Sequence, residues 1–137
     1  MFVLDRSMTM AWAFHDETTP GTLDALERAA HEACTAPSVW PLDVCNAVLT
    51  AQRRGRFSSE DVQSFLDLVA GLRVSVDDLA LRPAIDQVLP LAVRHALSSY
   101  DAAYLELAVR KNAPLATLDA GLARAARDAG VELIGEA

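Results

Sequence analysis

Apolar residues fall along the chain in two rhythms. Four brief runs lack helical spacing and are short enough for strands: "FVLD" (2–5), "LRVSV" (72–76), "PLAT" (114–117) and "VELI" (131–134). Longer stretches repeat at three- and four-residue intervals. Leu23, Leu26, Ala30 and Ala33 predict a helix over 21–35, which "TAPS" then breaks. Pro41 suits a first helical turn and opens a helix over 40–54. "GRFSSED" ends it and starts another, with a core face of Val62, Phe65, Leu66 and Val69. Further helices are predicted over 82–96, where Pro90 should kink or shorten the element, over 99–111, and through "LDAGLARAARDAG". Ser7 is a possible N-cap for a short first helix through "MTMAWAF". Strands that alternate with helices, and read as apolar runs, predict an α/β sandwich around a mainly parallel sheet.

A chain of 137 residues suits one domain, here 1–137, and a single core. With 52% hydrophobic and 23% charged residues and no low-complexity tract, the composition is that of a globular protein. No apolar run approaches the roughly 20 residues that span a bilayer, and Asp5 and Arg6 interrupt the place where a signal peptide needs its apolar core. No membrane association and a cytoplasmic location are therefore expected. Cys34 and Cys45 match no metal or disulfide spacing and are expected to be reduced, partly buried thiols. The net charge of −7 argues against non-specific coating of nucleic acid, though not against a local contact. The densest basic cluster, Arg53, Arg54 and Arg56, fits a helix C-terminus or a local contact to nucleic acid.

Four aspartates change the picture. Asp5 ends the first predicted strand, Asp43 and Asp101 lie in first turns of helices, and Asp119 follows a strand as a candidate N-cap. Each has an innocent explanation, since the helix dipole favours acids in first turns by about 0.3–1 kcal/mol and Ser98 with Asp101 has capping-box spacing. Together they matter more, because strand C-termini and the following helix N-termini share one edge of a parallel sheet. Two carboxylates about 4 Å apart repel by roughly 4 kcal/mol at an effective dielectric of 20, so a cation is needed between them. Oxygen ligands without His or Cys suit Mg²⁺ or Mn²⁺ rather than zinc, and a hard cation with open positions is suited to phosphodiester hydrolysis. Ser7, Asn46 and Thr117 are candidate polar support.

The segments "MFVLDRS", "WPLDVCNAV", "YDAAYLELA" and "LATLD", in this order and spacing, resemble PIN-domain proteins, specifically the VapC-type toxins of toxin-antitoxin pairs. The resemblance covers nearly the whole chain. It implies a three-layer α/β/α sandwich and a Mg²⁺- or Mn²⁺-dependent endoribonuclease that forms a homodimer and is inhibited by a cognate antitoxin. Carried over by position, Asp5, Asp101 and Asp119 match metal-coordinating aspartates. Asp43 falls where the family usually has glutamate, and Ser7, Asn46 and Thr117 fall at supporting positions. Two departures follow. Asp43 is one methylene short, and a 1 Å misplacement of a catalytic group costs on the order of 10²-fold. Arg6 stands where a small residue is usual, and can engage phosphate, pair with the acids, or face away from them. The alternative to a nuclease is a catalytically weak PIN-fold module that binds RNA or its antitoxin. His15, His31 and His95 read as surface or helix-end residues, and Trp12, Trp40 and Tyr104 as core or dimer contacts.

Overall fold

The computed structural model describes residues 1–135. Strand and helix alternate: β1 (Phe2–Leu4), α1 (Arg6–Ala11), α2 (Pro20–His31), β2 (Cys34–Pro37), α3 (Trp40–Arg53), α4 (Ser59–Ala70), β3 (Val74–Asp77), α5 (Leu81–Pro83), α6 (Leu89–His95), α7 (Ser99–Lys111), β4 (Leu115–Ala116), α8 (Ala120–Asp128) and β5 (Leu133–Ile134). The five strands form one all-parallel sheet in the order β3-β2-β1-β4-β5. Helices flank it as an α/β/α sandwich, as the sequence pattern predicts. Phe2, Val3 and Leu4 are wholly buried, and with Met8, Tyr104, Leu105, Leu107, Leu115 and Leu122 they supply most of the core's bulk. β1 is central, which explains its unbroken apolar run.

Local chemistry sets the boundaries. Thr19 and Thr22 form a reciprocal capping box around Pro20, and Ser58 and Asp61 do the same for α4. Along the predicted 82–96 helix, α5 widens into a π-helical turn over Ala84–Val88 immediately before α6, where Pro90 has no N–H to give. The predicted kink is realised as that wider turn.

Four expectations are corrected. "TAPS" does not merely end a helix: Cys34–Pro37 is a strand, paired with both β1 and β3 and buried throughout. Its small residues and terminal proline carry no strand pattern, so its pairing comes from two neighbours that sequence does not reveal. The buried face of α2 is Thr22, Ala25 and Ala29, whereas Leu23 is 54% exposed and Ala30 and Ala33 lie outside. The small residues face the core, so the bulky residues mark the wrong face. On α4, Phe65 is buried and Val62 and Val69 pack against the core, but Leu66 is exposed. The expectation of two partly buried thiols also fails: Cys34 is buried in β2, whereas Cys45 is exposed, off the buried face of α3 formed by Trp40, Val44, Val48 and Ala51. Among the described residues, no helix is long and apolar enough to cross a membrane.

On the β3 side, Glu106 is only 6% exposed and receives Arg110 Nε at 2.7 Å. The same guanidinium donates to Asp77 Oδ2 at 2.6 Å, tying α7 to the end of β3. Asp77 is held below the usual carboxylate range by that bond.

Candidate active site

The sheet order reverses between β1 and β4: the chain runs outward from β1 through β2 to β3, then returns to the other side of β1 for β4 and β5. The crevice beyond the carboxyl ends of those two strands is where open α/β sheets bind ligands. Asp5 and Thr117 stand there, one residue past β1 and one past β4. Asp5 N donates to Ala116 O at 3.2 Å. The Asp5 carboxylate accepts from Met8 N at 2.9 Å and from the Thr117 hydroxyl, and Ser7 Oγ lies 2.8 and 2.9 Å from its two oxygens. Ser7 Oγ in turn accepts from Leu118 N at 2.8 Å, and Thr117 Oγ1 accepts from Asp119 N at 3.0 Å. Two hydroxyls thus lace the ends of β1 and β4 together through one carboxylate. Asp5, not Ser7, is the N-cap of α1, because its side chain reaches the Met8 amide and Ser7 turns back onto it.

Asp5 is 4% exposed and no cation touches it among the described residues. Burial pushes its carboxyl up to about 6, against the opposing pull of the Met8 amide, Thr117, Ser7 and the Arg6 charge.

The other three acids lie around this crevice. Asp119 caps α8, with Oδ1 accepting from Leu122 N at 2.8 Å. Asp101 lies in the first turn of α7, its amide capped by Ser98 Oγ at 3.1 Å. The Asp101 carboxyl is raised, first by burial, then by the charge of Asp119 and to a lesser degree that of Asp43, while Arg6 pulls it down. Asp43, in the first turn of α3, accepts from the Tyr104 hydroxyl on Oδ2 at 2.8 Å. Tyr104 is buried, and burial followed by the neighbouring Asp43 raises its hydroxyl, so it remains a donor. Its ring is core, as expected, but its hydroxyl belongs to the site. The one available signal was a tyrosine in place of phenylalanine one turn beyond Asp101. A second link sets α3 against α1: Trp40 Nε1 donates to Thr9 Oγ1 at 3.2 Å, and Thr9 Oγ1 donates to Asp5 O at 2.7 Å.

The basic residues divide. Arg6 is exposed but its charge acts on Asp5 and Asp101, so it does not face away from the acids. With Ser7, Met10, Glu17, Ala47, Leu118 and Asp119 it lines a cavity of about 380 Å³. Arg56, a candidate RNA contact by sequence, has its guanidinium engaged elsewhere: it meets Asp16 at 3.0 Å and Glu17 at 3.4 Å and stacks 3.8 Å over Phe14. It clamps the 3₁₀ turn His15–Glu17 against the turn between α3 and α4. Arg53 and Arg54 are exposed at the end of α3, and Asn46 is exposed one turn beyond Asp43, outside the hydrogen-bonded network.

Among the described residues, no three or more of the Asp, Glu, His and Cys side chains converge as a ready-made cage. The donors at the crevice are nevertheless all oxygen, a set that fits Mg²⁺ or Mn²⁺ and not zinc. Asp5, Asp101 and Asp119 are the side chains that could ligate such an ion, with water completing its shell.

No protein-family model and no curated protein matches the chain. Among solved structures, PAE2754 from Pyrobaculum aerophilum is similar, with a TM-score of 0.71 and 22% identity over 96% of this chain and 82% of that one. At that identity the likeness extends to the fold alone.

Proposed function

We propose that this chain is a metal-dependent endoribonuclease, a VapC-type PIN-domain toxin that cleaves RNA phosphodiester bonds in the cytoplasm and is silenced by a cognate antitoxin. The observation that carries the reading is Asp5: a carboxylate nine-tenths buried, at the switch point of a parallel sheet, with three further acids around it and no cation in contact among the described residues. Such a site is unfavourable in isolation and becomes favourable with a divalent ion.

The ion, Mg²⁺ or Mn²⁺, supplies a Lewis acid that neutralises phosphate charge and activates water. The chain does the rest. Ser7 and Thr117 fix the Asp5 oxygens, and Asp119 is fixed by the Leu122 amide. Tyr104 occupies Asp43 Oδ2, which leaves Oδ1 to orient the attacking water and accept its proton. Homodimerisation is supported by Leu81, Ile85, Leu89 and Val93, which recur every four residues along α5, the π-helical turn and α6 and are all exposed.

Incubation of total and structured RNA with Mg²⁺ or Mn²⁺, wild type against Asp5→Asn, tests this reading. Ion-dependent cleavage that is lost in the variant is expected; cleavage that survives in EDTA or in the variant contradicts it. The second reading, a catalytically weak module that binds RNA or antitoxin, is favoured by the short Asp43 side chain and its engagement by Tyr104. RNA binding without any ion-dependent cleavage would select it.

A further inference from the structure

Two arginines reach the cavity beside the carboxylates in different ways. Arg56 comes through Glu17, which it meets at 3.4 Å while also holding Asp16 at 3.0 Å and lying on Phe14, so its charge is already paired. Arg6 lines the cavity itself, next to Ser7 and Asp119, and has no hydrogen bond or ion pair among the described residues. A guanidinium carries five N–H donors in a fork that matches phosphate. Packed beside acids yet bonded to none, it is placed for a ligand that arrives with its own negative charge. The cavity also contains Asp119 and Glu17, so it repels an anion until the carboxylates are neutralised.

We infer that Arg6 is a phosphate-binding residue for the RNA strand, coupled to the divalent ion: Arg6 and the ion compete for the field of the carboxylates, and a bound phosphate is held by both. The inference rests on the metal-dependent nuclease reading above. It makes two effects of one substitution opposite in sign. Removing the Arg6 charge relieves repulsion against an incoming cation, so the ion binds more tightly. The same change removes a charge-assisted contact to phosphate, so RNA binds more weakly. Coupling of this kind is reciprocal: RNA raises ion affinity in the wild type, and does so less in the variant. An arginine that merely offsets an acidic patch would give the first effect without the second.

The test uses the full chain as wild type, Arg6→Gln and Arg6→Lys, with thermal unfolding to check that each folds. Mn²⁺ affinity is measured by calorimetry. RNA affinity is measured by anisotropy of a short fluorescein-labelled single-stranded RNA in Ca²⁺, which takes the same oxygen ligands. Arg6→Gln should bind Mn²⁺ a few-fold more tightly and RNA about tenfold more weakly. Its plot of log affinity against log salt should be shallower by about 0.7. Arg6→Lys should recover part of the RNA affinity as a point charge. RNA affinity or salt slope unchanged in Arg6→Gln overturns the inference alone, provided the wild type binds both ligands. A wild type that binds neither Mn²⁺ nor RNA overturns the nuclease reading and the inference together.

Discussion

Asp5 and Glu106 are buried to nearly the same degree, at 4% and 6% exposure, yet they are treated in opposite ways. Glu106 receives a bidentate guanidinium from Arg110, which also binds Asp77 and so joins α7 to β3. That is how a fold accommodates a buried acid. Asp5 receives two hydroxyls and an amide but no cation, and burial pushes its carboxyl up to about 6 against their pull. One acid serves the fold; the other is kept against it. A charge retained where it costs stability, at the switch point of the sheet, points to a ligand that restores the balance.

The difference can be broken by mutation. The largest effect is expected for Asp5→Asn on RNA cleavage, a loss on the order of 10³-fold, since the ion contributes several kcal/mol to the transition state. Next is the pH dependence of ion-free stability. The folded carboxyl of Asp5 titrates at about 6, above its ordinary 3.8, so the fold favours the protonated form. That contribution is complete below about pH 4 and disappears as pH rises through 6, amounting to about 3 kcal/mol by pH 7. Chemical denaturation in EDTA should show that decline in the wild type and not in Asp5→Asn, which should be the more stable of the two at pH 7. Asp101, also raised, adds to the decline in the same direction. Arg110→Ala should do the reverse, destabilising by about 2 kcal/mol at every ion concentration because Glu106 is left buried and unpaired while water reaches it through the vacated site. Tyr104→Phe should lower kcat about tenfold with KM unchanged and cost about 1 kcal/mol of stability, as Asp43 loses its anchor. The smallest effect belongs to Asp43→Glu: a few-fold rise in kcat if the missing methylene limits the reaction, and a fall if Tyr104 has already placed the shorter side chain correctly.

The sequence showed more of the site than of the packing around it. All four aspartates lie where strand ends and first turns place them, because a strand followed by an N-cap is a local arrangement that a short segment specifies. β2 was invisible for the opposite reason: "CTAP" becomes a strand only by lying between β1 and β3, a non-local event. On α2 the apolar spacing picks out Leu23, whereas the core takes the small residues Thr22, Ala25 and Ala29, which carry little hydrophobic signal of their own. The ion pairs of Arg56 are hidden from the sequence because its partners, Asp16 and Glu17, lie some forty residues away. The Tyr104–Asp43 bond spans a still longer interval, and no spacing rule reaches it.

The central claim is that Asp5 is held unfavourably until a divalent ion arrives, and thermal unfolding with increasing Mn²⁺ at pH 7 tests it most directly. The wild type should begin at a lower Tm than Asp5→Asn in EDTA and climb with ion concentration, as binding to the folded state alone requires, while the variant stays nearly level. A wild type indifferent to Mn²⁺, or an Asp5→Asn protein that climbs equally, would contradict the account.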